Sequence, residues 1–424
     1  MFTKIAAKAA LGSLLLWTFA LAQTPDAQPL VNNPKFKSAQ DFVDKDHDRV
    51  VRETIQITEI EAPPFKEEKR AKAYVEMLRQ SGLKDVEIDA EGNVIGIRKG
   101  TGAGPLIAIA AHLDTVFPEG TNVKVRRDGT KLFAPGVGDD SRGLAVLLVI
   151  IRALDAAKIQ TASDILFVGN VGEEGSGDLR GMKYLFEKGP YKDKIKMFVS
   201  LDPAGPGTGI MNGAVGSKRY KITFTGPGGH SYAGFGLVNP VYALGNAMSK
   251  ISKMQVPSNP RTTFNVGVIG GGTSVNSIPF EAWTEVDLRS ESREELNRQA
   301  DIMTGLIRQA AEEENRARST GQGKIEVDIK MIGDRPSGAT PIYAPIVQSA
   351  AAVVRAFGFN PAYAMSSTDS NIPISMGIPA ITLESGGIGG RNHSLDEWVD
   401  MEKGESVRGI NIAMGILLAL AGIQ

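Results

Sequence analysis

Four short apolar runs restrict the fold of this chain more than any other feature: "LIAIAA" (106–111), "DILFVGNV" (164–171), "IKMFVSL" (195–201) and "PAITLE" (379–384). None alternates apolar with polar residues, so each suits a strand covered on both faces; turn residues and helical patterns separate them. The combination predicts an α/β fold, a mostly parallel sheet flanked by helices. Ahead of them, "DVEIDAEGNVIGIRKG" (85–100) does alternate and predicts a hairpin turning at Glu91-Gly92-Asn93. Earlier still, "DHDRVVRETIQITEI" and "EEKRAKAYVEMLRQSG" carry helical spacing on either side of the proline break "EAPPF".

Between the third and fourth runs the rhythm changes. From about Gly213 the chain reads strand "SKRYKITFTG", helix "PVYALGNAMSKIS", strand "TTFNVGVIG", strand "EAWTEVDLRS", helix "REELNRQADIMTGLIRQAAEEE", strand "KIEVDIKMIG". A β-α-β-β-α-β order is the ferredoxin-like split unit, a self-contained sheet with two helices on one face. Residues 213–331 are therefore expected to be an inserted domain, with 38–212 and 332–424 forming the two parts of the domain that it interrupts.

At the start, "MFTKIAAKAALGSLLLWTFALAQ" joins Lys4 and Lys8 to an apolar run and then to the small-x-small pattern Ala20-Leu21-Ala22. It reads as an export signal, residues 1–22, cleaved after Ala22. An uncleaved anchor is the alternative, for which the apolar run falls short of a span of about 20 residues. Cleavage would release the protein to the periplasm or the medium with no stable membrane anchor. Residues 23–37 are polar and contain prolines without periodicity, and are expected to form a flexible tether, with order starting near Ser38. The sequence contains no cysteine, so any metal site must be built from His, Asp and Glu. With 47 Lys and Arg against 48 Asp and Glu and no basic stripe, nothing points to nucleic acid, and a small substrate is the default partner.

Charged groups cluster where the apolar runs stop. His112 and Asp114 follow the first run, Glu173 and Glu174 the second, and Asp202 the third; His393 lies in the loop beyond the fourth. Asp139, in "GVGDDSRG", precedes the helical pattern "GLAVLLVIIRALDAA". Ligands of open α/β sheets bind in the crevice at the carboxyl ends of the strands, so these groups are expected to share one cleft. Singly, each has a simpler structural explanation: hydrogen-bonded histidines, helix caps at Asp139 and Asp140, a turn at Asp202 before Pro203, a solvated Glu pair. Convergence outweighs those explanations, because two of only four histidines would meet the four carboxylates of Asp139, Glu173, Glu174 and Asp202 at one end of one sheet. Crowded carboxylates repel and need cations. Two divalent ions about 3.5–4 Å apart, bridged by one carboxylate, would satisfy them. Zinc is the first choice for imidazole and carboxylate donors, and cobalt or manganese would fit the same set.

In this order, "HLDTV", "GVGDDSRG", "GEEGSGD", "SLDP", "GPGGHS" and "RNHSLDEW" resemble the two-domain co-catalytic zinc exopeptidases of metallopeptidase clan MH, which include peptidase T, carboxypeptidase G, aminoacylase and succinyl-diaminopimelate desuccinylase. The resemblance runs from about residue 50 to the C-terminus. It implies Asp139 as the bridging ligand, Asp202 with His112 on one ion, and Glu174 with His393 on the other. By the same resemblance Glu173 is the general base and Asp114 accepts the imidazole N–H of His112. His230, in "TFTGPGGHSYAG", would reach across a homodimer interface to the oxyanion; a phosphate loop is the competing reading, and the Lys-Ser/Thr it requires is missing. Asn276 and Arg289 would contact polar ends of a short peptide substrate. Two departures stand out: Ser141 where many members carry Lys, and Asp202 as in the aminopeptidases and dipeptidases, where carboxypeptidases and deacylases carry Glu. The resulting expectation is an aminopeptidase, with a carboxypeptidase, an N-acyl-amino-acid deacylase or a non-catalytic peptide-binding protein as alternatives.

Overall fold

The computed structural model describes residues 25–424. The expected signal, 1–22, lies outside the described residues, as do the first residues of the expected tether. Most of the rest of that tether is helical: it holds Gln28–Val31 and the start of Pro34–Thr58. Asn33 caps the second helix, its side chain accepting from the Lys35 amide at 2.9 Å, and Pro34 occupies a first-turn position that needs no N–H. Order therefore begins well before Ser38, and the prolines start helices here.

The four apolar runs form neighbouring parallel strands, Ile165–Asn170, Leu106–His112, Ile195–Leu201 and Ala380–Leu383, in that order across a nine-stranded sheet. The expected hairpin, Val86–Ile88 with Val94–Arg98, extends one side antiparallel, and Gly209–Ala214 pairs antiparallel on the other. Both faces of the sheet are covered. Ile107, Ile109 and Ala111 point into the larger core, while Ala108 and Ala110 point into a second one beneath the helix Arg180–Glu187.

On the larger face, the helix Ser141–Ala156 is buried along almost its whole length and packs against Pro34–Thr58. Each fully buried Leu or Ile of that helix contributes about 1.5–3 kcal/mol. Its N-terminus, which carries Asp139 and Asp140, is thereby fixed against the strand ends. Lys403–Ala421 is long and apolar enough to cross a membrane, but most of it is buried in this core, against Pro345–Ala356 and Pro34–Thr58.

The inserted unit has the expected β-α-β-β-α-β order. Its four strands lie as Thr262–Gly271, Glu281–Ser290, Gly216–Thr225 and Glu326–Arg335, all antiparallel, and Pro240–Ile251 and Arg293–Ala317 cover one face around Ile222, Phe224, Leu288 and Met303. Its last strand runs to Arg335, past residue 331. At the other end Gly209–Ala214 belongs to the large sheet, so the crossing falls next to Val215.

Candidate active site

His112 is the last residue of its strand and sits beside Asn170 of the parallel neighbour. Its amide donates to Asp140 Oδ2 at 3.1 Å, and Asp140 Oδ1 caps the following helix by accepting from the Gly143 amide at 3.0 Å. Asp140 is thus consumed by the backbone, which leaves Asp139 to face the cleft. Glu397 fixes the turn that carries Asp139: its carboxylate accepts from the amides of Gly136, Gly138 and Asp139 at 2.9, 2.8 and 2.9 Å.

The two oxygens of Asp139 face two different imidazoles. Oδ1 lies 2.8 Å from His112 Nε2, and Oδ2 lies 3.2 Å from His393 Nε2. Glu174 Oε1 lies 3.0 Å from the same nitrogen of His393. Ligand atoms of His112, Asp139 and Glu174 all fall within 4.8 Å of one another, the spacing of a metal site. Asp202 lines the same cleft outside that trio. This donor set suits divalent cations: nitrogen and oxygen donors converge, and a carboxylate with each oxygen on a different histidine has the form of a bridge.

Electrostatics point the same way. Burial works against a charged His112, yet the hydrogen bond and charge of Asp139 hold its pKa well above the usual imidazole value. The hydrogen bonds that His393 donates to Asp139 and Glu174 push it up to about 10. Burial, reinforced by the charge of Asp139, pushes Asp202 well above the carboxylate range. Burial does the same to Glu173, opposed by Arg335 and aided by Glu174. Burial works against an ionised Asp139, yet its hydrogen bonds to His112 and His393 hold it below the carboxylate range; imidazoles that keep protons against an ionised carboxylate are what a metal-ligand set shows when protons stand in for ions.

Asp114 acts differently from the expectation. His112 Nδ1 lies 2.9 Å from the backbone carbonyl of Asp114, while the nearest carboxylate oxygen is 3.8 Å away. That carboxylate instead accepts from two consecutive amides, Glu173 N to Oδ1 at 3.0 Å and Glu174 N to Oδ2 at 2.8 Å. The arrangement has a simple cause: the loop after the neighbouring strand presents two N–H groups that need acceptors, and the carbonyl is closer to the ring. Behind it, fully buried Arg70 donates to the carbonyls of Leu113 and Ile60 at 2.7 and 2.8 Å; burial lowers its pKa to about 10, against the charges of Asp114 and Asp140.

Glu173 is buried beside the cleft. Its Oε1 accepts from Arg335 Nη1 at 3.0 Å, and Arg335 also donates to the Glu173 carbonyl and to Ser367 Oγ. Beneath this pair, Asn170 Nδ2 donates to Asp369 Oδ1 at 2.8 Å. Asp369 Oδ2 and Asn170 Oδ1 are buried without a partner, and burial raises Asp369 to about 7.

The cleft has a volume of about 390 Å³. Asp139, Glu173, Glu174, Asp202 and His393 line one side, and Arg219, Arg289 and Arg335 come from strands of the inserted unit. Asp287 holds Arg219 and Arg289 at 3.3 and 2.7 Å. His230 and Asn276 do not line it. They are exposed neighbours on the far end of the insert, where His230 pairs in register with Ser277 and the Asn276 carbonyl accepts from the Ser231 amide.

Residues 108–419 match the family described as Peptidase family M20/M25/M40. The chain belongs to that family. Among curated proteins it is 27% identical over 324 residues to the uncharacterized protein YqjE of Bacillus subtilis (strain 168), covering 73% of this chain and 80% of that one. It is also 27% identical over 210 residues to carboxypeptidase G2 of Pseudomonas sp. (strain RS-16), covering 48% of this chain and 49% of the relative. Among solved structures, aminopeptidase PepT from Bacillus cereus superposes with a TM-score of 0.68 at 23% identity, over 88% of this chain and 99% of that chain. A Bacillus subtilis dinuclear metal-binding peptidase of the M20 family, YXEP, gives 0.63 at 17% identity, over 88% and 99%. The protein is accordingly a hydrolase of the metallopeptidase type with the M20 fold.

In this M20 chain, sequence reading alone missed Arg335, Glu397, Arg219 and Asp369. Glu397 sits inside "RNHSLDEW" four residues past His393, so its proximity was visible while its partners were not. Arg335 ends a strand of the insert immediately before Pro336, a position where an arginine reads as solvent-exposed.

Proposed function

We propose that this protein is an exported, dinuclear metal-dependent exopeptidase that removes residues from the N-terminus of short peptides. The single observation that carries the reading is Asp139, shared between His112 and His393 with Glu174 alongside and Glu173 next in the chain. Two divalent ions held by His112, Asp139, Glu174, Asp202 and His393, with zinc the first choice and cobalt or manganese fitting the same donors, would polarise the scissile carbonyl and acidify water. Glu173 then takes the proton from the attacking water and returns it to the leaving amine. Arg335, bonded to both the side chain and the carbonyl of Glu173, holds the base in place.

The arginines of the insert support a short substrate: fixed cations across a cleft of about 390 Å³ suit a carboxylate close to the scissile bond. Asp202 supports the aminopeptidase direction. We further propose a homodimer formed through the insert, which would bring the partner subunit's His230 and Asn276 toward this cleft. Tyr232 and Phe235, 88% and 91% exposed, lie beside His230 on that surface. Export is supported by the leader, and a mature chain starting at Gln23 in mass spectrometry of the secreted fraction would bear it out.

A second reading keeps the same metal chemistry on a carboxypeptidase or N-acyl-amino-acid deacylase substrate, favoured by the arginine side of the cleft. Digestion of free-amine and N-blocked peptide sets, with and without chelator, separates the two. Metal-dependent release of N-terminal residues from free peptides is the expected result; a preference for blocked substrates would overturn the aminopeptidase assignment.

A further inference from the structure

A second cavity, about 330 Å³, lies at the crossing between the inserted unit and the rest of the chain. Its walls come from the helix Arg180–Glu187 on one side and, on the other, from the first turn of Arg293–Ala317 and the strands Gly216–Thr225 and Glu326–Arg335. Arg335 lines both this cavity and the cleft.

Its charges are of both signs and largely uncommitted. Lys183 is held by Asp178 at 2.6 Å and Arg335 by Glu173 at 3.0 Å. Lys218 and Arg293 enter no ion pair among the described residues, and neither do Glu187 and Asp334, although Lys218 and Asp334 are register partners on adjacent strands. Two buried donors at the wall are also unsatisfied: Arg335 Nε, on a residue 3% exposed, and Ser337 Oγ, on a residue 8% exposed. A buried donor without an acceptor costs about 1–3 kcal/mol, which a ligand oxygen would recover. A bare anion would meet the two carboxylates, and a bare cation the two free bases; one molecule carrying both charges answers all four. Leu296, Pro336 and Ile372 add an apolar side.

We propose that this cavity binds a zwitterionic α-amino acid with an aliphatic side chain, its carboxylate toward Arg293, Lys218 and the free donors and its ammonium toward Glu187 and Asp334. That is the product class of the exopeptidase reading, although the charge pattern of the cavity stands without it. Through Arg335 the occupied cavity is one residue from Glu173, so binding is read out in turnover.

The test is isothermal titration of the metal-loaded, full-length protein with L-leucine, sodium acetate and butylamine. Wild type should bind leucine and neither single-charge probe with similar affinity. Lys218→Ala/Arg293→Ala and, separately, Glu187→Gln should each weaken leucine binding at least about tenfold. Both variants should keep the wild-type circular dichroism spectrum, and the leucine-induced change in kcat should disappear in them. Leucine binding unaltered in both variants would place it elsewhere and overturn the proposal, as would acetate binding as tightly as leucine, or no leucine binding at all. Absence of peptide hydrolysis would instead count against the exopeptidase reading, since the titration does not depend on it.

Discussion

Two regions of this molecule bury clustered carboxylates, and they solve the problem in opposite ways. Between the helices Pro34–Thr58 and Ser141–Ala156, Arg152 reaches Asp46 at 2.7 Å and Glu53 at 2.9 Å, and also takes Ser81. The chain supplies its own counter-charge there, and the group is closed. At the strand ends, Asp139, Glu173, Glu174 and Asp202 have, among the described residues, only Arg335 and two histidines as bases within ion-pair distance, with pKa values displaced on both sides of the proton exchange. The first cluster is complete as folded, whereas the second is arranged to receive charge from outside. Burial of acid is therefore not in itself a mark of function; what marks it is a cluster that the chain's own bases leave open to a cleft.

The difference can be attacked at its strongest point. Removing divalent ions with a chelator should abolish peptide hydrolysis and lower the melting temperature, and adding back zinc, cobalt or manganese should restore both; unchanged activity in metal-free protein would end the distinction. Glu173→Gln comes next: turnover should fall by about 10²–10⁴ while the metal content by mass spectrometry stays at the wild-type value. On the other side, Arg152→Met removes the arginine that grips both oxygens of Glu53 and leaves it Arg49 at 2.8 Å; it should cost about 1–3 kcal/mol in urea unfolding, with metal content and the turnover of the folded fraction unaffected.

The smallest effect concerns Asp369, whose folded pKa of about 7 lies above its ordinary 3.8. Between those values the folded chain holds a proton that the unfolded chain has released. The contribution of Asp369 to stability is therefore full below about pH 3.8, declines as pH rises, and levels off above about 7, with a slope of at most about 1.4 kcal/mol per pH unit. Asp369→Asn removes that slope, so the stability of the wild type relative to the variant should decrease from pH 5 to pH 8 in urea unfolding. A protonated Asp369 also gives its otherwise partnerless Oδ2 a hydrogen to donate.

How far the sequence revealed this depends on how local each cause is. The four parallel strands were legible because uninterrupted apolar runs have few other uses, and the meeting of Asp139, Glu173, Glu174, Asp202 and His393 in one cleft was legible because the strand ends converge. The insert was legible from its order of elements. Asn33 and Pro34 were legible too, as a cap and a first-turn proline, and were read as linker composition instead. Arg335 was not legible, because its partner Glu173 lies 162 residues away and only the crossing between the two units brings them together. Nor was the work of Asp114: the resemblance implied the ring of His112 as its partner, while its acceptors are claimed by amides from another strand's loop.

That carboxylate has a consequence for how the site assembles. Because one side chain ties down two successive amides, Glu173 and Glu174, the proposed base and the proposed metal ligand, move as a single body, and neither can be adjusted while the other stays put. Loading the ion and aiming the base become one event, so an inactive yet fully metallated form of this protein should require a change at the base's own carboxylate and should not arise from a loosened loop.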